Sequence, residues 1–498
     1  MLYPAIVSLF ACLFSVNLLA NDLDSSLKKA VNYLFNFQFE KAEKELLRIT
    51  NTQKNETRTW LFLSNLYVWK FLSDQNKSDL EKFEYYANET INRANKLLKT
   101  NSNDLNAIYS VASIYGYKAF SKFFNKNYVE GLWYTKKSID LTNDILSKNK
   151  YYYDAYFWHG MFNVLLSQTP KSIQKILNIF NLSGDLIKGI EELELARAKS
   201  TYAKAEASYL LSQFYSSLLE ENTKAYSILY ELARSYSENE LFKYSLAAEL
   251  MKLNRTKNAK LLLLELYNKS NLKLKTIKSF TLFLLGDCHF YCSEFNEAIK
   301  YYSLFLKEHS ENNYKSTAMF RLAYSFLMLN DSAQANLYFS KLNTINSKNE
   351  EDKFYKRIIE NYLKGKYPNH FIDLILAANN IRCGNYESAI SILQRVELNS
   401  LDIRSMTNYY TGLAYYYNGN ISNASTYFLK NLYIEPKNEK WTKAFSIYFL
   451  AKIELEKKNL SQASYLFKML SKIKNYDFEG YLTLLVKNIK TINKLNSQ

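Results

Sequence analysis

Glycine and proline are scarce in this chain, with 11 and 4 residues among 498. Both punctuate turns, so their shortage argues against a turn-rich β-sandwich or barrel and for helices joined by short loops. Cysteine is scarce too. Beyond Cys12 the chain holds only Cys288, Cys292 and Cys383, an odd number without framework spacing, and these read as small buried apolar thiols. Cys288 and Cys292 share a helix face, but no further ligands stand at matching spacing, so neither a metal site nor a bond within that helix is expected. The histidines His159, His289, His309 and His370 form neither HExxH nor an evident Ser/His/Asp set. GxSxG, GxGxxG and the phosphate-binding GxxxxGK motif do not occur. The acidic clusters Glu191-Glu192, Glu220-Glu221 and Glu350-Glu351-Asp352 fall on expected helix ends or polar faces and read as solvated charge. No enzyme and no cofactor is expected.

What is present is apolar and aromatic. Hydrophobic residues make up 48% of the chain, with 43 tyrosines and 31 phenylalanines. A mean hydropathy of -0.30 speaks against a multi-span membrane protein. The net charge is +16, which favours acidic partners such as anionic lipid, acidic polymer or acidic proteins. No run of five or more Lys or Arg occurs, which argues against nucleic acid. Residues 1–20 are apolar, uncharged and end in Ala20 before Asn21-Asp22, as in a secretory signal peptide. Leu18 is large for the -3 position and no basic residue precedes the run; an uncleaved anchor is the competing reading, and the surroundings of Cys12 only loosely resemble a lipobox.

The internal organisation is periodic. Small residues twelve apart recur at Ala30/Ala42, Ala247/Ala259, Gly286/Ala298, Ala323/Ala335, Ala377/Ala389, Gly412/Ala424 and Ala451/Ala463. In the two clearest hairpins, residues 279–345, a large ring follows four residues later at Tyr302 and Phe339. A small residue on each helix lets two helices approach closely, and the ring locks them. The pattern resembles the tetratricopeptide repeat (TPR), whose resemblance implies an all-α solenoid of helical hairpins coiled as a right-handed superhelix.

The region before 241 is less regular. Segments 56–73, 79–99, 103–125, 127–147 and 154–167 carry helical apolar spacing but are longer than a standard repeat allows. An insertion over 167–184 contains a short expected helix at 171–180. The stretch 155–260 resembles one group of bacterial tetratricopeptide-repeat proteins, with a distant likeness to the mitochondrial inclusion-clearance repeat proteins. Gly160, Pro170, the Leu182-Ser183-Gly184-Asp185 turn, Gly189, Leu193, Ala196 and Glu206-Ala207 carry it, and it implies an envelope or scaffold role. The expected organisation is a signal peptide at 1–20 and an irregular TPR-like helical region at 21–240. A regular array at 241–345 follows, then a hinge or extra helix at 346–368. A C-terminal array with a capping helix occupies 369–498.

Three residues before each small residue stand Tyr244, Phe283, Phe320, Leu374, Tyr409 and Tyr448. In repeats of this kind that position tends to face the concave groove. Chaperone-binding members place Lys there and Asn four residues on; here that clamp is absent. Tyr244, Phe283, Phe320, Tyr409 and Tyr448 are therefore the candidate partner-binding residues, with packing between helices as the alternative for each. The reading is a non-catalytic scaffold or adaptor of the cell envelope, in the periplasm or on the periplasmic face of a Gram-negative outer membrane. Its partners would be proteins, with an acidic polymer or anionic membrane surface as the second choice.

Overall fold

The computed structural model describes residues 23–342, 345–347, 349–365 and 371–494. The leader and lipobox readings at 1–20 and Cys12, and Pro368 and His370, lie outside them. Every regular element among the described residues is a helix, and the fold is an α-solenoid of antiparallel hairpins. None of these helices is long and apolar enough to cross a membrane. The chain forms two compact units. One comprises the described residues up to Phe214 with Ser227–Phe242 and Lys273–Lys275; the other comprises Tyr215–Tyr226, Lys243–Leu272 and the chain from Thr276.

In the first unit the long helices are Thr57–Asp74, Lys77–Thr100, Leu105–Phe124 and Tyr128–Lys148, followed by the shorter Ala155–Ser167 and Leu186–Lys199. Their starts are set by side chains that satisfy orphan N–H groups: Glu56 accepts from Arg58, Asn76 from Ser78, Asp104 from Ala107 and Asp185 from Lys188. The insertion holds one turn of 3-10 helix, Lys171–Ile173, and the short helix Gln174–Ile179. Gly160 and Gly189 let two helices meet backbone to backbone. A methyl group at Gly160 would lie 2.9 Å from the Gly189 carbonyl oxygen. Asp154 holds the next corner by accepting the backbone N–H groups of Tyr202 (2.7 Å) and Ala203 (2.8 Å).

In the second unit the small residues twelve apart are the contact points of the hairpins. Ala259, Ala298, Ala323, Ala335, Ala377, Ala389, Ala424, Ala451 and Ala463 are all buried. Gly286 lies under the ring of Tyr302 and Gly412 under that of Phe428, each sixteen residues on. Helix Glu350–Leu363 lies between hairpins and joins the same apolar core through Ile358 and Ile359. Arg357 on this helix donates to both carboxylate oxygens of buried Glu439 (2.7 and 3.0 Å) and to Asp477 (2.8 Å).

Two readings of the sequence are corrected here. Cys288 is a buried thiol, but Cys292 and Cys383 are joined in a disulfide, with Cα atoms 5.2 Å apart across 91 residues. Each sulfur stands at the end of a different helix, and only the stacking of several hairpins brings them together. Local spacing carries no trace of that. The acidic clusters are also not uniformly solvated. Asp352 is buried and accepts from the N–H groups of Tyr314 and Thr317, both at 2.7 Å. Glu192 is buried against His159 at 2.8 Å. Each acid found a partner on a neighbouring helix, which a reading of single helices does not see.

A tyrosine-lined cavity in the second unit

The helices Lys275–Tyr291, Lys315–Met328, Phe371–Cys383, Leu401–Tyr417 and Lys440–Glu456 present one face each to a cavity of about 660 Å³. All its walls belong to the second unit. Phe283, Phe320 and Tyr409, three of the expected groove residues, line it. Their rings are mostly packed: Phe320 is 1% exposed, Phe283 5% and Tyr409 7%. Tyr448 is buried beside the wall, its hydroxyl donating to the wall residue Glu220. Leu374 is wholly core, and Tyr244 is half-buried outside the described lining. Both alternatives therefore occur within one register position: the rings pack between helices and some also reach the cavity with an edge.

The surface open to a ligand is carried by residues the sequence reading passed over. Tyr410, Tyr417 and Phe445 show larger areas, and Trp441 meets Tyr409 edge-on at 5.1 Å. Burial raises the hydroxyl pKa of Tyr291, Tyr409, Tyr410 and Tyr417, so all four remain protonated donors. None of these hydroxyls makes a hydrogen bond among the described residues.

The wall also holds charge. Arg321, 3% exposed, bonds to Asp287, to Glu351 at 2.6 Å and to the Tyr355 hydroxyl at 3.3 Å. Asp287 also accepts from the Tyr302 hydroxyl at 2.6 Å. Burial pushes the Asp287 carboxyl up to about 6, and the positive charge of Arg321 holds it from rising further. Glu220 pairs with Lys452 at 3.1 Å, and Lys252 donates to Ser216 at 2.6 Å. Glu220 and Glu351 are thus wall groups with partners, a second departure from the solvated reading of their clusters.

One signal in the sequence points to these residues. Five positions after the small residues Ala247, Gly286, Ala377 and Gly412 stand Lys252, Tyr291, Arg382 and Tyr417, and all four line the cavity. On a helix that position continues the stripe containing the residue one after the small one, by a further turn.

Fold and repeat pattern define the class: an α-solenoid of tetratricopeptide-type helical hairpins. Residues 155–353 match the model of the Iml2/Tetratricopeptide repeat protein 39 family, a span that begins where the Gly160 helix begins and runs into the regular repeats. No curated protein matches the sequence. Among solved structures the chain is similar to YrrB, described as a TPR protein with an unusual peptide-binding site. Identity is 15% over 43% of this chain and 97% of that one, with a TM-score of 0.31. It is similar to a Rap protein complexed with competence and sporulation factor at 15% identity, over 74% of this chain and 98% of that one, with a TM-score of 0.39. A tetratricopeptide repeat protein from Parabacteroides merdae matches at 15% identity over 57% and 98%, with a TM-score of 0.27.

Proposed function

We propose that this protein is a non-catalytic adaptor that holds a segment of a partner protein in the tyrosine-lined cavity of its second unit. The supporting observation is the wall itself, in which aromatic faces alternate with phenol hydroxyls that have no hydrogen-bond partner among the described residues. Aromatic faces bury apolar side chains, while the spare phenol hydroxyls donate to the backbone carbonyl oxygens of an extended segment. An extended segment leaves its backbone carbonyls free to accept from these hydroxyls, whereas a helix has already bonded most of its own, so the spare donors favour a short extended segment. We further propose the cell envelope as its location; the Cys292–Cys383 disulfide supports an oxidising compartment.

The test is retention of envelope proteins on the immobilised chain, washed at low and then high salt and identified by mass spectrometry. A partner that survives high salt and is lost from Tyr417→Ala and Phe445→Ala supports the adaptor. These two are better probes than Phe283, Phe320 or Tyr409, whose truncation would unsettle the core. Retention unaffected by both variants would place the partner elsewhere.

A second reading, contact with an anionic membrane surface, is favoured by one end of the first unit. Around the turn between Leu105–Phe124 and Tyr128–Lys148, the side chains of Phe120, Phe124, Tyr128, Val129 and Trp133 are exposed. Lys126 is exposed in the turn and Lys137 lies 5.4 Å over the Trp133 ring. Rings with flanking lysines suit the headgroup boundary. Co-sedimentation with phosphatidylglycerol vesicles, lost on Phe124→Ser with Trp133→Ser, would support it; equal sedimentation of the variant would remove it.

A further inference from the structure

Arg382 is the cavity charge that stands apart. Arg321, Lys252, Glu220, Asp287 and Glu351 each have a partner, as described above. The guanidinium of Arg382 makes no hydrogen bond or ion pair among the described residues. It is not a stray surface group. It lines the cavity and keeps more than a third of its surface exposed. The groups in its electrostatic reach are phenols: Tyr291, Tyr355, Tyr409 and Tyr417.

Its backbone is held unusually firmly. The Thr256 hydroxyl donates to the Arg382 carbonyl oxygen at 2.6 Å, and the neighbouring Cys383 is bonded to Cys292. Asn379, one turn earlier, donates to the Phe290 carbonyl oxygen at 3.4 Å. Gly384 follows with φ +83, and a methyl group there would lie 3.0 Å from the Asn254 carbonyl oxygen. Three separate links to residues 254–292 therefore aim one unpaired cation into a ring of hydroxyl donors. A guanidinium without a protein partner keeps all its donors free for an acceptor brought by a ligand.

We propose that Arg382 anchors a carboxylate carried by the partner segment, either an Asp or Glu side chain or a C-terminus, with the surrounding phenols donating to the same oxygens. This rests on the adaptor reading above and names the chemistry of its ligand. A planar fork of donors matches a carboxylate in two parallel hydrogen bonds. A doubly charged phosphate suits the site less well, because Glu220, Asp287 and Glu351 share the wall and would repel it.

The experiment uses the full chain and a library of acetylated hexapeptides of mixed composition, made once with a free C-terminus and once as the amide. Peptides retained are identified by mass spectrometry and their affinities measured by calorimetry. The expected result is retention of peptides bearing a carboxylate, and a roughly ten- to hundredfold loss of their affinity in Arg382→Gln, with partial recovery in Arg382→Lys. Preference for the free acid over the amide assigns the C-terminus, and equal binding of both forms assigns a side chain. Because Arg382 gives up no protein partner, the Gln variant should melt at or above the temperature of the parent. A melting temperature lowered by several degrees would show a structural role and overturn the proposal. Retention of peptides without any acid, or unchanged affinity in Arg382→Gln, would overturn the anchor while leaving the adaptor standing. Retention of no peptide by the parent chain would overturn both.

Discussion

Gly286 lies beneath the ring of Tyr302 so closely that a methyl group on it would stand 2.6 Å from Tyr302 Cδ1. Tyr302 cannot easily yield, because it is fully buried and its hydroxyl donates to Asp287. Gly286→Ala should therefore cost about 1–3 kcal/mol through overpacking, despite the better helix propensity of alanine. Gly412→Ala should behave alike, since its methyl group would stand 2.5 Å from Phe428 Cε1. Gly480 is the internal control: it sits in helix Glu479–Ile492, its methyl group would meet only Glu350 Oε1 at 3.4 Å, and Gly480→Ala should be neutral or stabilising. Urea denaturation of the three variants checks the contrast in sign.

The Cys292–Cys383 disulfide closes a loop of 91 residues containing several helical hairpins. Restricting the unfolded chain to that extent stabilises by about 2–5 kcal/mol. Dithiothreitol should lower the denaturation midpoint of the parent chain accordingly. The Cys292→Ala, Cys383→Ala double variant should start from the lower value and ignore the reductant. A parent chain whose midpoint does not respond to complete reduction, verified by thiol titration, would contradict this account.

The helices and hairpin register were legible because both depend on near neighbours. Apolar spacing along Leu105–Phe124 and small residues at Gly286/Ala298 are local facts with local consequences. The cavity was legible in part. Reading one position per repeat found Phe283, Phe320 and Tyr409, whose edges reach it. It missed Arg382 and Tyr417 because it stopped after one turn of each helix rather than following the stripe into the second. The Cys292–Cys383 bond and the partners of Glu220 and Asp352 were not legible at all. They join residues brought together by stacking, and no spacing along the chain encodes that.

Glu206 is enclosed in the first unit, accepting from the Tyr117 hydroxyl at 2.8 Å and from Asn65 at 3.5 Å. Burial raises its carboxyl from the ordinary 4.5 to about 7, and both hydrogen bonds oppose the rise. A carboxyl raised on folding contributes stability that is complete below the unfolded value and lost as pH climbs through the folded one. The loss therefore falls between about pH 4.5 and pH 7 and amounts to roughly 3 kcal/mol. Glu206→Gln keeps an acceptor for both donors and has nothing to ionise. Relative to the parent it should gain stability steadily across that window and hold the gain at pH 8. Parallel stability curves for the two proteins from pH 4 to pH 8 would refute the assignment.

Arg321 and Asp287 form the enclosed ion pair of the cavity wall, and the worth of such a pair depends on what replaces it. Asp287→Ala leaves a guanidinium that is 3% exposed with Glu351 as its remaining acid, and removes the acceptor of the Tyr302 hydroxyl. A cost of about 3–5 kcal/mol is expected for that single change. Arg321→Met leaves Asp287 buried without a cation, and its carboxyl should then rise above the value of about 6 it has beside Arg321. The protein would become less stable at neutral pH than in mild acid. Removing both charges together, Asp287→Leu with Arg321→Met, takes away the desolvation cost along with the attraction, so the double variant should lie well above the sum of the two losses. A thermodynamic cycle at pH 7.5 and pH 5 measures this directly. Simple additivity at both values would mean that the pair is solvated through the cavity, and that the wall is wetter than its packing implies.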